Sequence, residues 1–504
     1  MIKDLNSFFH GWSDKYNDFL SDESRTTGKA ESISFPENEA EIQTIVKNQL
    51  QKKIPITVQG SRTGITGAAV PVYGHILNLS KMTKVMGLAI DEAGRFLIRV
   101  QPGISLNELN QLLENCKFKG QLSEESDLKA LNVLRKSRQQ FWPPDPSEKS
   151  ASIGGIAANN SRGICAYHYG SASLHIKSIR LIDIKGDIQE MDEHSDIFSR
   201  NLNQQSYNAV NDLGLIFGSE GMLGTITELT LFLQPLPSEL WGIVFFFEDE
   251  AQAVNYIEAI NHLGKIESDN TIVAIDFMDQ TTLESIQNFK KGNSRLQELP
   301  NIDRRFVTAV YLEIHGNDSL VIEDLCERLM KEAANHNSDP DNSWAFSGEH
   351  EIERLRHFRN AAPEAINYLI DQARQLDVHI TKLGTDMCLQ KKGTLKDQLS
   401  MYRRDLKTDG LKAAIFGHAG DGHLHVNILS QNYVQFQLGR KRIEDWAKKI
   451  SAKGGSVVTE HGIGKIKKEL FRSIPLPENP EIIRRIKQQM DPDRLWNPGN
   501  MFDN

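Results

Sequence analysis

The sequence predicts an α+β protein of more than one domain, and three observations carry that expectation. At 504 residues the chain is longer than a single ordinary core organises. Its first half alternates short apolar strands and helical stretches with glycine-rich turns at 59–67, 150–163 and 218–227. From Leu236-Pro237 onward the pattern changes to longer apolar strands interleaved with amphipathic helices, the layout of helices packed on a sheet. A composition of 39% hydrophobic and 25% charged residues is that of a globular chain.

Element by element, the first half starts with a helix. Glu37, Glu39 and Glu41 follow Pro36 and place acids in a first turn, where the macrodipole favours them; the helix runs to about Lys52. A strand over 54–58 leads into Gln59-Gly60-Ser61-Arg62-Thr63-Gly64-Ile65-Thr66-Gly67. Its glycines and hydroxyls let the backbone turn sharply and aim amides at an anion, although the same composition also serves a plain turn. It lacks the GKS/T of a P-loop and the GxGxxG of a Rossmann unit. Strands over 75–79 and 96–100 follow, then a helix from about Ser105. Residues 121–141 are unusually polar and read as a solvated surface insertion with helical content. After Pro143-Pro144-Asp145-Pro146, small residues dominate 150–163, so a flat ligand or another backbone can approach closely. Tyr169-Gly170, a strand over 176–184, and a turn at 218–227 entering a strand that ends near Phe232 complete the half.

In the second half, strands are expected over 241–247, 273–278 and 306–314, with helices over 249–263 and 319–335. A charged amphipathic helix over 351–374, broken near Pro363, carries Arg354, Arg356, Arg359 and Asn360; taken singly, each arginine reads as a solvated helix face. Residues 378–387 read as a strand entering a turn. The densest chemistry lies in FGHAGDGHLHVN, residues 416–427. The alternation from His423 to Asn427 is that of a half-buried strand, with His423, His425 and Asn427 on one face and Leu424 and Val426 on the other. The glycine-rich turn before it can swing His418 back towards the polar face. Thr459-Glu460-His461-Gly462-Ile463-Gly464 adds a carboxylate and another imidazole. Such a set suffices for a metal site with a general base beside it.

Charge and cysteine usage exclude several classes. A net charge of −9 argues against a nucleic-acid partner. Cys116, Cys165, Cys326 and Cys388 form no CxxC pair, so neither an iron–sulfur cluster within this chain nor a disulfide framework is expected. No signal-peptide pattern opens the sequence, and no charge-free apolar run of about 18 residues occurs in it. The expected setting is cytoplasmic, with membrane contact at most peripheral.

Three glycine-rich elements in the order QGSRTGITG, PPDP…SIGGIAANNSRG…YG and GSEGMLGTIT resemble the FAD-binding domain of the vanillyl-alcohol oxidase/p-cresol methylhydroxylase superfamily. The resemblance implies that the first loop, Gly60 to Gly67 with Ser61, Arg62, Thr63, Gly64, Ile65 and Thr66, holds the pyrophosphate. It implies further that Pro144, Ser152, Ile153, Gly154, Asn160, Gly163, Tyr169, Gly170, Gly221, Gly224 and Ile226 line the ribityl chain and isoalloxazine. The first loop lacks the histidine that covalent-flavin relatives often carry, so non-covalent FAD is expected; Arg162 stands where the family usually has a second glycine. The second half then reads as an α+β cap with an antiparallel sheet covering the substrate. This divides the chain into a two-part FAD-binding domain at 1–236, a cap carrying the metal site at 237–475, and a segment at 476–504 packing back on the FAD domain.

With GHAGDGHLHVN, TEHGIG and DPDRLWNPGNMF added, the chain from about Pro36 is similar to the flavin-dependent D-2-hydroxyacid dehydrogenases, a group of D-lactate and D-2-hydroxyglutarate dehydrogenases and the glycolate oxidase flavoprotein subunit. In that resemblance His418, His425 and Glu460 bind a divalent metal, which can be zinc, manganese or iron(II), and His461 is the base. Arg359 and Lys382 grip the substrate carboxylate, and Asn427 helps hold the substrate. Two departures stand out: Pro363 replaces a hydroxyl residue, and His423 replaces an asparagine, as a further metal or substrate contact or as a hydrogen-bond partner behind the site. The implied reaction is oxidation of a D-2-hydroxy acid to the 2-oxo acid. Electrons pass on to a quinone, a cytochrome, an electron-transfer flavoprotein or an iron–sulfur subunit. The alternatives are a flavin oxidase of alcohols or aldonolactones and a flavoprotein subunit without catalysis of its own.

Overall fold

The computed structural model describes residues 5–118, 122–198, 211–261, 271–297, 299–389 and 395–502. The chain divides into two compact units: Met1–Gly163, Gly170–Leu236 and Glu460–Asn504 form one, and Ile164–Tyr169 with Pro237–Thr459 the other. The sequence expectation put the return to the first unit at 476; the return comes at Glu460, which puts Glu460 and His461 in the first unit.

Among the described residues the first unit has two larger sheets, beside the short pairing of Gln140–Phe141 with Gln234–Pro235. In one, Ser32–Ser34, His75–Asn78 and Ile56–Gln59 run parallel in that order, with His10–Gly11 antiparallel at the edge. The helix Glu39–Gln51 starts where Asn38 accepts the Glu41 amide at 3.0 Å, and its Ile42, Ile45 and Val46 pack with Ile56, Leu77 and Trp496. The other sheet is antiparallel, in the order Val85–Ile90, Phe96–Val100, Gly224–Phe232, Ile176–Asp183, Ile188–Met191. The C-terminal segment closes the unit: Ile56 donates to the Leu495 carbonyl at 2.6 Å, and Val58 donates to Asn497 Oδ1 at 2.8 Å. Trp496, fully buried, donates its indole N–H to the Ile184 carbonyl at 3.0 Å.

The polar stretch at 121–141, of which 121 lies outside the described residues, is not a solvated excursion. Its helix Glu125–Leu134 buries Asp127, Ala130, Leu131 and Leu134, a 3–4 spacing that the surrounding charges mask in the sequence. Asp127 accepts the Leu88 amide at 3.0 Å, which ties the helix to the edge strand Val85–Ile90.

His75, in the parallel sheet, is fully buried, with Nδ1 2.9 Å from Ser32 Oγ. Burial pushes its pKa down to about 3. Below pH 6.5 the unfolded chain binds a proton that the folded chain refuses, so stability falls between pH 6.5 and about 3. His75→Gln is expected to show a shallower fall of Tm across that window in scanning fluorimetry, and an unchanged slope would refute the assignment.

The second unit is built on an antiparallel sheet with eight strands among the described residues. Its order is Trp344–Ser347, Glu239–Phe247, Thr308–Gly316, Thr271–Asp279, Ala413–His418, His423–Ile428, Leu383–Gly384, and Met387–Cys388 also pairs with His423–Ile428. Residues 378–387, expected as a strand entering a turn, contribute Leu383–Gly384 and the first residue of Met387–Cys388. The helix Glu349–Leu376 is continuous through Pro363, against the expected break. A proline removes one backbone donor from a helix interior. Here Phe358, Ala361, Ala362, Ala365 and Ile366 are all buried around it, and that packing carries the helix through. The six residues Ile164–Tyr169 cross from first-unit sequence into this unit, where Ile164 and Cys165 join the core of Val244, Phe246, Tyr311 and Phe358.

No helix among the described residues is long and apolar enough to cross a membrane.

Candidate active site

In the second unit the site rests on one hairpin. Ala413–His418 and His423–Ile428 pair in the register His418↔His423, Phe416↔His425 and Ala414↔Asn427. Ala419–Asp421 form the turn, and Gly422, at φ +66, takes the left-handed conformation that closes it. His418 is therefore the last residue of a strand and needs no swing to reach the polar face. The three rings gather: centroids lie 4.5 Å apart for His423–His425, 5.8 Å for His418–His423 and 6.1 Å for His418–His425. Leu424 and Val426 point into the core, as the alternation requires.

Each imidazole is oriented by an acceptor. His418 Nδ1 lies 2.9 Å from Asp276 Oδ1, His423 Nε2 2.9 Å from Asp386 Oδ1, and His425 Nδ1 3.2 Å from the Thr385 carbonyl. A neutral imidazole donating from one nitrogen keeps a lone pair on the other, so His418 and His425 each offer Nε2 as a ligand atom. His423 and Asp386 are both buried and face one another.

Asp276, the cross-strand partner of His418, also anchors Arg359, whose Nε donates to Asp276 Oδ2 at 2.8 Å. Arg359 Nη1 reaches Asn360 Oδ1 at 3.2 Å, and Nη2 lies 3.4 Å from His418 Nε2. Burial works to raise the Asp276 pKa, but its neighbours His418 and Arg359, acting electrostatically and through their hydrogen bonds, outweigh it and hold the carboxyl well below the usual range. Arg359 thus belongs to the same polar cluster as His418 and not to a solvated helix face. Asn427 is buried against Gly384, where a Cβ would lie 3.0 Å from its Oδ1. Lys382 is exposed and donates to Asn367 Oδ1 at 2.9 Å.

The first unit gathers the glycine-rich elements around the TEHGIG segment. Thr66 of the first element donates to the His461 carbonyl at 3.3 Å and accepts the Lys465 and Ile466 amides at 2.9 and 3.1 Å. Asn159 of the second donates to the Glu460 carbonyl at 2.8 Å. Glu220 of the third accepts the Ile463 and Gly464 amides at 2.6 and 2.8 Å. These anchors fix the backbone at Glu460 and His461 and through the residues that follow, to Ile466.

The first loop fits a pyrophosphate. It leaves the strand Ile56–Gln59, and Arg62 at φ +61 and Gly67 at φ +76 bend it through left-handed conformations. Among the described residues, the N–H groups of Thr63, Gly64, Ile65, Thr66 and Gly67 donate to no protein acceptor, an array suited to a diphosphate. Two glycines expected to contact the flavin have a structural reason as well. A Cβ on Gly163 would lie 2.4 Å from the Asp145 backbone, and one on Gly224 would lie 2.4 Å from the Ile182 carbonyl. Tyr169, expected among the flavin-lining residues, belongs to the second unit.

Asp276, Asp386, Asn159 and Glu220 were not singled out from the sequence. A lone aspartate inside the apolar run Val273-Ala274-Ile275-Asp276-Phe277-Met278 was the available signal, since an unpaired carboxylate is rarely fully buried.

Two family models match the chain, one within the first unit and one spanning most of the second unit and the C-terminal return to the first. Residues 30–124 match the FAD binding domain, and residues 241–501, more than half of the chain, match the FAD linked oxidases, C-terminal domain. The chain belongs to the FAD-linked oxidases and is an FAD-dependent oxidoreductase. It is 26% identical over 505 residues to the D-lactate dehydrogenase of Anaerostipes hadrus, covering 96% of this chain and 92% of that protein. It is 24% identical to the D-2-hydroxyglutarate dehydrogenase of Stutzerimonas stutzeri, covering 94% and 90%. The glycolate oxidase subunit GlcD of Bacillus subtilis is 25% identical, with coverage of 94% and 89%. Among solved structures, alkyldihydroxyacetonephosphate synthase aligns with a TM-score of 0.60 and 18% identity, covering 93% of this chain and 76% of that one, and it shares the fold. The family inferred from the ordered motifs and the α+β architecture of FAD domain and cap are both borne out.

Proposed function

We propose that this oxidoreductase converts a D-2-hydroxy acid of the D-lactate type to the 2-oxo acid, with non-covalent FAD and a divalent metal. The observation that carries the reading is the cluster of Arg359, Asp276 and His418. It anchors a guanidinium at Nε and sets its Nη groups beside His418 and Asn360, a fixed positive charge that a substrate carboxylate would meet. The names of the relatives, D-lactate and D-2-hydroxyglutarate dehydrogenases, support the same substrate class.

The roles follow from the chemistry of each group. FAD, when bound, accepts the C2 hydrogen as hydride. His418 and His425, with Glu460, are the residues proposed to hold zinc, manganese or iron(II), and such an ion would supply polarisation of the substrate hydroxyl. Their orientation by Asp276 and Thr385 is the outer support that metal-binding imidazoles require. Arg359 fixes the carboxylate, Lys382 adds a point charge and Asn427 a polar contact. His461 takes the hydroxyl proton near neutral pH. The electron acceptor would be a quinone, a cytochrome, an electron-transfer flavoprotein or an iron–sulfur subunit.

The deciding experiment is anaerobic stopped-flow with D- and L-2-hydroxy acids, following flavin absorbance. The expected result is bleaching by a D-acid such as D-lactate, with loss of the reaction after EDTA treatment. Bleaching by no 2-hydroxy acid would sink the reading, and EDTA-insensitive oxidation of an alcohol or aldonolactone would put the simpler oxidase in its place.

A further inference from the structure

The six residues Ile164–Tyr169 lie in the sequence between Gly163 and Gly170 of the FAD-binding part, yet pack wholly within the second unit. Their polar groups make two specific connections there. On one side, Tyr167 Oη lies 2.7 Å from Asn261 Oδ1, and Asn261 Nδ2 donates to the Gly420 carbonyl at 3.1 Å. The Tyr167 ring also covers Gly420, where a Cβ would meet Cδ2 at 2.8 Å and Cε2 at 2.9 Å. Gly420 is therefore glycine because the ring lies against it. It sits two residues after His418, in the turn that follows that residue.

On the other side, Tyr169 Oη lies 2.9 Å from His315 Nδ1, and His315 Nε2 lies 2.9 Å from Glu313 Oε1. Arg356 holds the same carboxylate through Nη2 to Oε1 and through Nε to Oε2 at 3.2 Å. Tyr311 Oη donates to Glu313 Oε2 at 2.6 Å, and Cys165 Sγ lies 3.5 Å from Oε1. Cys165, Glu313 and His315 have the donor types of a metal site. The bidentate guanidinium already matches the carboxylate's charge, so this cluster is a structural network and not a cation site. Arg356 precedes Arg359 by three residues, on the same face of the helix Glu349–Leu376.

We infer that Ile164–Tyr169 is a positioning clamp for the reaction: Tyr167, through Asn261, sets the turn that aims His418, and Tyr169, through His315 and Glu313, sets the helix that aims Arg359. A segment embedded in first-unit sequence thereby places the groups proposed to meet the substrate. The inference rests on the proposed roles of His418 and Arg359. Tyr167 and Tyr169 themselves are positioning residues, with no part in bond making.

The test uses the FAD-loaded full chain, with D-lactate as probe. Tyr167→Phe, Asn261→Ala and the double variant remove one connection while keeping the ring that packs on Gly420 in the first case. Hydrogen exchange is measured over residues 417–425, and anaerobic flavin reduction gives kcat and KM separately. The clamp predicts unchanged FAD content, exchange faster by roughly five- to tenfold, and a lower limiting reduction rate with KM little changed. The double variant should be no slower than the slower single one, because both break the same connection. Wild-type exchange and rates in the variants would overturn the inference, and so would faster exchange with an unchanged reduction rate. If D-lactate and the other 2-hydroxy acids fail to reduce even the unsubstituted enzyme, the substrate reading falls, while accelerated exchange at 417–425 still upholds the clamp on the turn.

Discussion

Arg359→Met is expected to leave the flavin oxidised in the presence of D-lactate and to cut the yield of folded protein. Both effects come from one pair. Asp276 has 3% of its side chain exposed and is held ionised by Arg359 and His418. Removing the guanidinium strands a buried carboxylate, which costs about 3–5 kcal/mol, a large part of the stability of most domains. The same substitution deletes the group proposed to grip the substrate carboxylate. A second variant separates the two losses. Combining Arg359→Met with Asp276→Asn removes the stranded charge, so the melting temperature should recover while flavin reduction stays absent. Recovery of both would show that Arg359 is only the partner of Asp276, and its substrate role would fall.

His461→Ala is expected to retain FAD and lose flavin reduction by about 10²–10⁴-fold, the usual contribution of a placed general base. Retention of FAD follows from how the segment is held. Thr66 donates to the His461 carbonyl, and Glu220 accepts the amides of Ile463 and Gly464. None of these bonds uses the imidazole, so the first loop keeps its position when the ring is lost. Single-turnover reduction by D-lactate across pH 5–9 is the check. The parent enzyme should show a rate limb in the histidine range that the variant lacks. A variant reduced at the parent rate would remove His461 as base.

The legible parts of the protein were those where one stretch of chain carries its own pattern. The alternation from His423 to Asn427 placed three polar side chains on one face, and the hairpin register keeps them there. The ordered glycine-rich elements and the apolar strands of the cap were equally local signals. What could not be read was long-range pairing. Asp276 and His418 are 142 residues apart, and only the adjacency of the strands Thr271–Asp279 and Ala413–His418 brings them together. His423, a departure left unexplained by spacing, is buried against Asp386 from a neighbouring strand segment. Pro363 read as a helix break because the sequence does not show how much of that helix is buried around it. Similarly, the polar outer face of Glu125–Leu134 hid the four residues it buries.

The discontinuity of both units bears on the order in which a ribosome can deliver this fold. The first unit needs Trp496 and Asn497 to complete its parallel sheet, so it cannot finish until synthesis has passed Asn497. The second unit is complete in sequence by Thr459, and its early contribution, Ile164–Tyr169, emerges well before the strands that enclose it. The nascent chain must therefore hold an unfinished nucleotide-binding half while the later half closes around a piece of it, and the last forty-odd residues act as the seal. Expression trials that trim those final residues should fail by aggregation during synthesis and not by loss of a surface tail.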